Sequence, residues 1–114
     1  MARFLDLRKK NKKLTIVGDG KNTRDYVHVS DVANANILAV TSKKVGKGES
    51  INIGTGEKHS INEIAKIFGG LTESLPPRIE PKDTLADFSL AKLLLGWEPK
   101  VDFEKGLKNL LQNN

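Results

Sequence analysis

The chain lacks cysteine and has few aromatic side chains, with one Trp, one Tyr and four Phe among 114 residues. Without thiols it can form neither a disulfide framework nor a thiolate metal site, and two histidines are too few for a structural zinc site. So few large side chains can fill only one modest core. We therefore expect residues 1–114 to form a single domain.

Long apolar runs are missing as well. No stretch approaches the ~20 apolar residues that span a bilayer, and charged side chains begin at Arg3. Neither a membrane helix nor a signal peptide is predicted. We therefore expect a cytoplasmic protein with no membrane partner.

The usual signatures of catalysis are also absent. The ten glycines do not have the spacing of a dinucleotide-binding loop, and neither a phosphate-binding loop motif nor a G-x-S-x-G elbow occurs. The only tyrosine, Tyr26, is followed four residues later by Ser30, so the Tyr-x-x-x-Lys pair of short-chain dehydrogenases is missing. The sequence predicts no catalytic residue, no cofactor-binding residue and no metal ligand.

Positive charge is concentrated at the start of the chain. Residues 1–24 contain eight lysines and arginines against Asp6 and Asp19, whereas the whole chain carries a net charge of only +5. The run from Arg8 to Lys13 could attract the phosphates of nucleic acid, but no aromatic side chains are interleaved for base stacking. A solvated helix end is the favoured interpretation, and nucleic acid is not an expected partner.

Strand-like and helix-like patterns alternate along the chain, which predicts an α/β fold with about five helices packed on a small sheet of short strands. Strands are predicted over residues 14–18, 25–29 and 51–53, the first two as a hairpin-like pair, and the proline-rich stretch 76–81 as a loop or an edge strand. Helices are predicted over residues 2–11, from Ser30 or Asp31 to about Ser42, from the capping box at Ser60 to Phe68, from about Ser89 to Gly96, and after Asp102.

Arg24 is the best single candidate for a binding residue. It follows a Gly-Asp-Gly turn, and its planar guanidinium can hold a phosphate through two parallel hydrogen bonds. The alternative is a surface arginine paired with Asp25 or Asp31. Arg78 and Lys82, in the proline-rich stretch, could contact a ligand from a second loop or simply be solvated.

Three stretches, taken in order, resemble the C-terminal part of extended short-chain dehydrogenase/reductase proteins. They are GDGKNTRDYVHVSDVANANILAV, INIGTGEKHSINEIAKIF and TLADFSLAKLLLGWEPKVDFEKGL. Their order and spacing resemble those of the NAD-dependent nucleotide-sugar epimerases and dehydratases, a family typified by UDP-glucose 4-epimerase. The resemblance implies a nucleotide-sugar ligand, with a UDP-sugar as the expected one.

The resemblance also assigns residues. Arg24 corresponds to the arginine that binds the substrate diphosphate, and Asn52 to the anchor of the turn that follows it. Counting back from Asp87 places Glu80 at the family's carboxylate position; Arg78 lies one residue from a basic position, and the family's Arg-x-Gly pattern is not found here. The implied substrate-binding residues are Arg24, Tyr26, Lys82, Glu80 and Arg78.

The family's amino-terminal portion, with its Rossmann NAD site and catalytic Tyr, Lys and Ser or Thr, has no counterpart in this sequence. The resemblance therefore implies that residues 1–114 are a substrate-binding lobe of a larger protein and lack the dinucleotide-binding domain. Such a lobe would bind no cofactor and would be inactive alone, with NAD serving the full-length enzyme. Two alternatives stay open: a nucleotide-sugar dehydratase fragment, and a non-enzymatic module that binds an anion or a partner protein.

Overall fold

The computed structural model describes residues 1–114, in which five helices and four short strands alternate. This confirms the predicted α/β fold. None of the helices combines the length and the apolar character that crossing a bilayer requires. The elements are α1 (Ala2–Lys9), β1 (Leu14–Val17), β2 (Thr23–Arg24), α2 (Val29–Thr41), β3 (His59–Ser60), α3 (Ile61–Phe68), β4 (Thr72–Leu75), α4 (Ser89–Leu95) and α5 (Phe103–Gln112).

The chain divides into two compact units, each assembled from separate stretches of sequence. Unit 1 comprises Met1–Arg24, His59–Thr84 and Leu107–Asn114. Unit 2 comprises Asp25–Lys58 and Leu85–Gly106. All four strands belong to unit 1, whereas unit 2 consists of helices and loops.

Unit 1 contains two sheets of two strands each. β1 and β4 pair in parallel, with Leu14 opposite Thr72, and β2 and β3 pair antiparallel, with Arg24 opposite His59. Because side chains alternate across a strand, Leu14 and Ile16 of β1 point to the same side and are both buried.

Helices α1 and α3 complete the core of unit 1. α3 begins with the predicted capping box, in which the Ser60 hydroxyl accepts the Glu63 N–H at 3.1 Å and the Glu63 carboxylate accepts the Ser60 N–H at 3.3 Å. At the other end of α3, the ring of Phe68 meets Phe4 of α1 edge-on, with 5.5 Å between the ring centroids. The two phenyl groups are buried together in the core.

Unit 2 is built around the indole of Trp97, which has no exposed surface. Phe88 contacts it edge-on at 5.8 Å, and the Trp97 Nε1–H donates to the Asp31 carbonyl at 2.8 Å. The Asp31 carboxylate is buried and accepts the backbone N–H groups of Lys100 and Val101, each at 3.0 Å. Since its charge is met by these donors, the carboxylate fixes the segment after Trp97 to the start of α2.

The predicted strand over residues 25–29 is wrong. α2 already begins at Val29, and its N-cap is His28 in place of Ser30 or Asp31. The His28 ring accepts the Ser30 N–H at 3.2 Å, which satisfies one of the free donors at the helix start. The hairpin-like pair is wrong as well, because β1 takes β4 as its partner.

The predicted strand over residues 51–53 forms no ladder, because unit 2 contains no other strand. Ile51 and Ile53 pack instead on the cluster around Trp97, and Asn52 between them is exposed and does not anchor the turn. β4 was not predicted because its Thr-Glu-Ser-Leu sequence has no apolar alternation. The proline-rich stretch after it is a loop.

Candidate functional site

A cavity of about 680 Å³ lies at the carboxyl ends of β1 and β4 in unit 1. The two strands are parallel, so their last residues, Val17 and Leu75, are directly opposite each other, and both line the cavity. Ligands of α/β proteins commonly bind outside the carboxyl ends of parallel strands. The position of the cavity therefore makes it the leading candidate for a ligand site.

The walls of the cavity combine apolar and charged groups. Pro77 adds to the apolar surface of the two strand ends. Lys21, Arg78 and Lys82 bring three positive charges, against the carboxylates of Asp19 and Glu80. A net positive wall beside an apolar surface suits a ligand that carries both a ring and a phosphate.

Arg24 lies beside this cavity, and its guanidinium is held by nearby backbone carbonyls and by Glu80. Its Nη1 donates to the Thr23 carbonyl at 2.7 Å and to the Lys82 carbonyl at 3.4 Å. Its Nη2 is 3.7 Å from Glu80 Oε2, and the two side chains keep 26% and 32% of their surfaces exposed. Arg24 thus contacts two of the residues that line the cavity, Glu80 and Lys82.

The loop that carries Glu80 and Lys82 is attached to β2 and to the residue before it. The Asn22 amide donates to the Glu80 carboxylate at 3.0 Å, and the Thr23 hydroxyl donates to Asp83 at 2.6 Å. The Thr23 backbone forms two more hydrogen bonds. Its N–H donates to the Lys82 carbonyl at 2.9 Å, and its carbonyl accepts the Thr84 N–H at 3.2 Å. These contacts fix the loop beside Arg24.

The Gly-Asp-Gly turn before Arg24 is also held in place, although its sequence suggests flexibility. Asn62 of α3 donates through its amide to the Asp19 carbonyl at 2.9 Å, and its backbone N–H donates to the Gly20 carbonyl at 3.0 Å. Gly20 has φ +70°, and a Cβ there would collide with the Asn62 side chain. The sequence did not identify Asn62 as part of the site, because Asp19 and Gly20 lie far from it along the chain.

The structure brings four of the five predicted site residues together in unit 1. Arg24 contacts Glu80 and Lys82, and Arg78 lines the same cavity. Tyr26 belongs to unit 2, where its ring lies 5.8 Å from that of Phe103. The binding roles of all five stay predictions.

Asp25, the residue after Arg24, has a structural role that the sequence did not reveal. Its carboxylate accepts the Thr55 N–H and hydroxyl, at 2.9 Å and 2.6 Å, the Gly56 N–H at 2.9 Å and the Ala86 N–H at 3.3 Å. Burial raises the pKa of Asp25, but the hydrogen bonds from Thr55, Gly56 and Ala86 outweigh it and hold the pKa below its ordinary value of 3.8. Asp25 therefore anchors the Gly-Thr-Gly turn. The Gly-Thr-Gly sequence, which predicts a turn with free backbone N–H groups, is the signal that could have pointed to an acidic anchor.

Comparisons with known proteins identify relatives of this chain. Residues 1–54 match the model of the NAD dependent epimerase/dehydratase family. A putative UDP-glucose 4-epimerase of Methanocaldococcus jannaschii is 37% identical over 97% of this chain, which spans 38% of that protein. UDP-glucuronic acid decarboxylase 1 of Danio rerio is 36% identical over 87% of the chain, which spans 25% of that protein.

The fold is similar to that of solved members of the same group. A crystal structure of a UDP-glucuronic acid 4-epimerase variant from Bacillus cereus, in complex with UDP-4-deoxy-4-fluoro-glucuronic acid and NAD, matches with a TM-score of 0.86 at 33% identity. The match covers 97% of this chain and 38% of that one. By sequence and by fold, this chain belongs to the NAD dependent epimerase/dehydratase family, and it spans only 25% to 38% of the length of these relatives.

Proposed function

We propose that this chain is the nucleotide-sugar-binding part of an NAD-dependent nucleotide-sugar epimerase, and that Arg24 binds the diphosphate of the substrate. The observation that carries the proposal is the position of the Arg24 guanidinium. It is held by two backbone carbonyls beside a cavity that Glu80 and Lys82 line. A fixed arginine binds a diphosphate more effectively than a mobile one, because less conformational entropy is lost on binding.

The contact between Arg24 and Glu80 leaves the guanidinium available to a ligand. Its length of 3.7 Å exceeds that of a strong charge-assisted hydrogen bond, about 2.8 Å. A phosphate oxygen can therefore approach Nη2 while the two backbone carbonyls continue to hold Nη1. Glu80 then serves as the group that orients Arg24.

The other predicted residues complete the proposed site. Lys82 and Arg78 supply positive charge for the second phosphate. Tyr26 belongs to unit 2 and keeps only the role that the resemblance assigns to it. The apolar strand ends at Val17 and Leu75 offer a surface for the nucleoside. A UDP-sugar is the proposed ligand, because the relatives that match over most of the chain are named for UDP-sugars.

The NAD of the whole enzyme is proposed to bind outside this chain. None of the ten glycines has the spacing of a dinucleotide-binding loop, and the Tyr-x-x-x-Lys pair is missing. The outer face of α2 supports the presence of a further part of the enzyme, since Val29, Ile37 and Val40 form an apolar stripe that is 63% to 87% exposed. Such a stripe is typical of a surface that further polypeptide covers. We therefore expect the chain to be inactive alone.

Epimerisation is the proposed reaction only because the epimerase match covers more of the chain than the decarboxylase match. The putative epimerase of Methanocaldococcus jannaschii aligns with 97% of the chain, and the Danio rerio decarboxylase with 87%. The identities, 37% and 36%, are nearly the same. A binding lobe holds the nucleotide in either reaction, so the chemical step is decided by residues that this chain does not contain.

Calorimetric titration of the 114-residue chain with UDP tests the role of Arg24. UDP should bind more tightly than inorganic phosphate, and Arg24→Ala should weaken UDP binding roughly 10-fold to 100-fold, because hydrogen bonds to a charged group are lost. Arg3→Ala removes the same charge from an exposed position on α1 and should leave binding unchanged. Equal UDP binding by the wild-type chain and Arg24→Ala would contradict the proposal.

Catalysis is tested by co-expressing the chain with the amino-terminal half of a matching epimerase. The pair should show NAD-dependent epimerisation of a UDP-sugar that neither half shows alone. In that pair, Arg24→Ala should raise the KM for the UDP-sugar. A variant with normal KM would remove Arg24 from the substrate site.

A further inference from the structure

A second cavity in unit 1 lies at the amino ends of β1 and β4, at the opposite end of the strand pair from the first. Its volume is about 190 Å³. Leu14 and Leu71 line it, and the Leu14 N–H donates to the Leu71 carbonyl at 2.9 Å. Four-residue strands with a rise of about 3.3 Å per residue separate the two ends by roughly 10 Å.

The charged side chains that line this cavity all carry the same sign. Arg8, Lys12 and Lys13 contribute three positive charges, and no carboxylate lines it. Asp6 acts on Lys12 electrostatically, but its carboxylate forms an ion pair with Lys10 at 2.9 Å and does not line the cavity. Three cations around one small cavity create a positive potential that a bound anion would reduce.

The walls of the cavity are two tight turns with fixed backbones. On one side Asn11 has φ +51°, and its N–H donates to the Arg8 carbonyl at 3.0 Å. On the other side Gly69 and Gly70 have φ +70° and +93°, and the Gly69 N–H donates to the Ala65 carbonyl at 2.9 Å. Left-handed backbone of this kind makes short turns that bring the two sides close together.

Arg8 connects the two turns. Its Nη1 donates to the Gly69 carbonyl at 3.3 Å, which positions the guanidinium at the cavity and leaves further N–H groups for a ligand. Lys12 and Lys13 have no hydrogen-bond or ion-pair partner for their ammonium groups, so no protein contact must be broken when a ligand binds. Arg8 is thus positioned before any ligand arrives, and the two exposed lysines can reach the ligand without losing a contact.

We propose that this cavity binds a compact, multiply charged phosphate anion, held by Arg8, Lys12 and Lys13. The site is separate from the one proposed around Arg24 and does not depend on it. Its small volume and its three cationic lining residues favour a small anion over nucleic acid. An extended groove and stacking aromatic rings would be expected for nucleic acid, and neither lines this cavity.

The test is an NMR titration of the ¹⁵N-labelled 114-residue chain with pyrophosphate at constant ionic strength. The amide signals of Lys12, Lys13 and Gly70 should shift together. The double variant Lys12→Gln/Lys13→Gln should raise the dissociation constant about 10-fold or more, since each lysine provides a charge-assisted hydrogen bond.

The matched control, Lys43→Gln/Lys47→Gln, removes the same charge from exposed positions in unit 2 and should change the constant less than about 2-fold. Equal weakening in both double variants would overturn the proposal, as would the absence of shifts at Lys12 and Gly70. An oligonucleotide that shifts the same signals at a lower concentration would identify a nucleic-acid surface instead.

The Arg24→Ala variant separates the two proposed sites. The shifts at Lys12, Lys13 and Gly70 should persist in it, and their loss would show that pyrophosphate binds only near Arg24. Equal UDP affinity of Arg24→Ala and the wild-type chain would contradict the proposed function. It would not affect the inference about this second cavity.

Discussion

Two aspartates show at the residue scale how a carboxylate can organise backbone that has no regular structure. Asp25 collects the donors of Thr55, Gly56 and Ala86, and Asp31 those of Lys100 and Val101. Backbone N–H groups in loops lack ladder partners, so a negatively charged acceptor satisfies several of them at once. From the sequence, both were candidate ion-pair partners of Arg24.

Asp25→Asn should lower the free energy of unfolding by roughly 2–3 kcal/mol at pH 7, because a neutral amide accepts these bonds weakly and turns an NH₂ group toward N–H donors. Urea denaturation followed by circular dichroism measures the loss. Asp87→Asn is the matched control: its carboxylate is exposed and accepts one backbone N–H, from Ser89 at 2.9 Å. A loss no larger than that of the control would contradict the anchoring role.

At the scale of elements, α3 is the helix whose sequence and structure agree most closely. The capping residues fix its start, Gly69 with φ +70° ends it, and its apolar residues repeat at helical spacing. These signals lie within a few residues of one another, so they act in any context. The strands show the opposite behaviour, since each depends on a partner from elsewhere in the chain.

Ser60→Ala should destabilise the chain by about 1 kcal/mol, because the N–H of Glu63 loses its acceptor at the helix start. Lys66→Ala, at an exposed position of the same helix, should change stability by less than about 0.5 kcal/mol. Denaturant midpoints of the two variants make the comparison. Equal midpoints would mean that the capping box contributes nothing measurable.

The two faces of α2 should respond differently to substitution. Val40 is 87% exposed, so Val40→Lys should alter the free energy of unfolding by less than about 0.5 kcal/mol. Ala35 is 3% exposed in the cluster with Trp97, so Ala35→Leu should cost about 1–3 kcal/mol by overpacking. Since Trp97 is the only tryptophan, its fluorescence reports the unfolding of unit 2. A large loss at Val40 would show that the outer face is already covered in solution.

At the scale of the whole molecule, five carboxylates have pKa values that are shifted in the same direction. Hydrogen bonds or cationic partners lower the pKa of these side chains in the folded chain. A group with a lowered folded pKa stabilises the fold above its ordinary pKa, and the contribution is lost as the pH falls through the folded value. The side chains are Asp6, Asp25, Glu49, Asp87 and Glu98.

The stability of the chain should therefore fall as the pH drops below about 4, the ordinary range of carboxylate pKa values. Asp25 should account for more of the decline than any other of these groups, because the others are exposed and screened by salt. Urea midpoints between pH 7 and pH 3 test this for the wild-type chain and for Asp25→Asn. An equally steep decline in the variant would assign the pH dependence to the surface carboxylates.

The site could be predicted only in part. Arg24 was recognisable because a planar cation follows a glycine turn, and the resemblance to a known family added Glu80, Lys82 and Arg78. The contacts that fix Arg24 were not recognisable, since Asn62 and the loop around Glu80 reach it from distant parts of the chain. No pattern within a short window of sequence contains such a contact.

Sequence by itself determined the five helices, the Gly-Asp-Gly turn and the basic start of the chain, because caps, apolar periodicity and glycine conformation act between near neighbours. Only the tertiary structure decided that β1 pairs with β4, that residues 25–28 and 51–53 form no strand, and that cavities open at both ends of the strand pair. A ladder exists only when two segments meet, and a cavity only when several do. Both depend on contacts between residues that the linear order keeps apart.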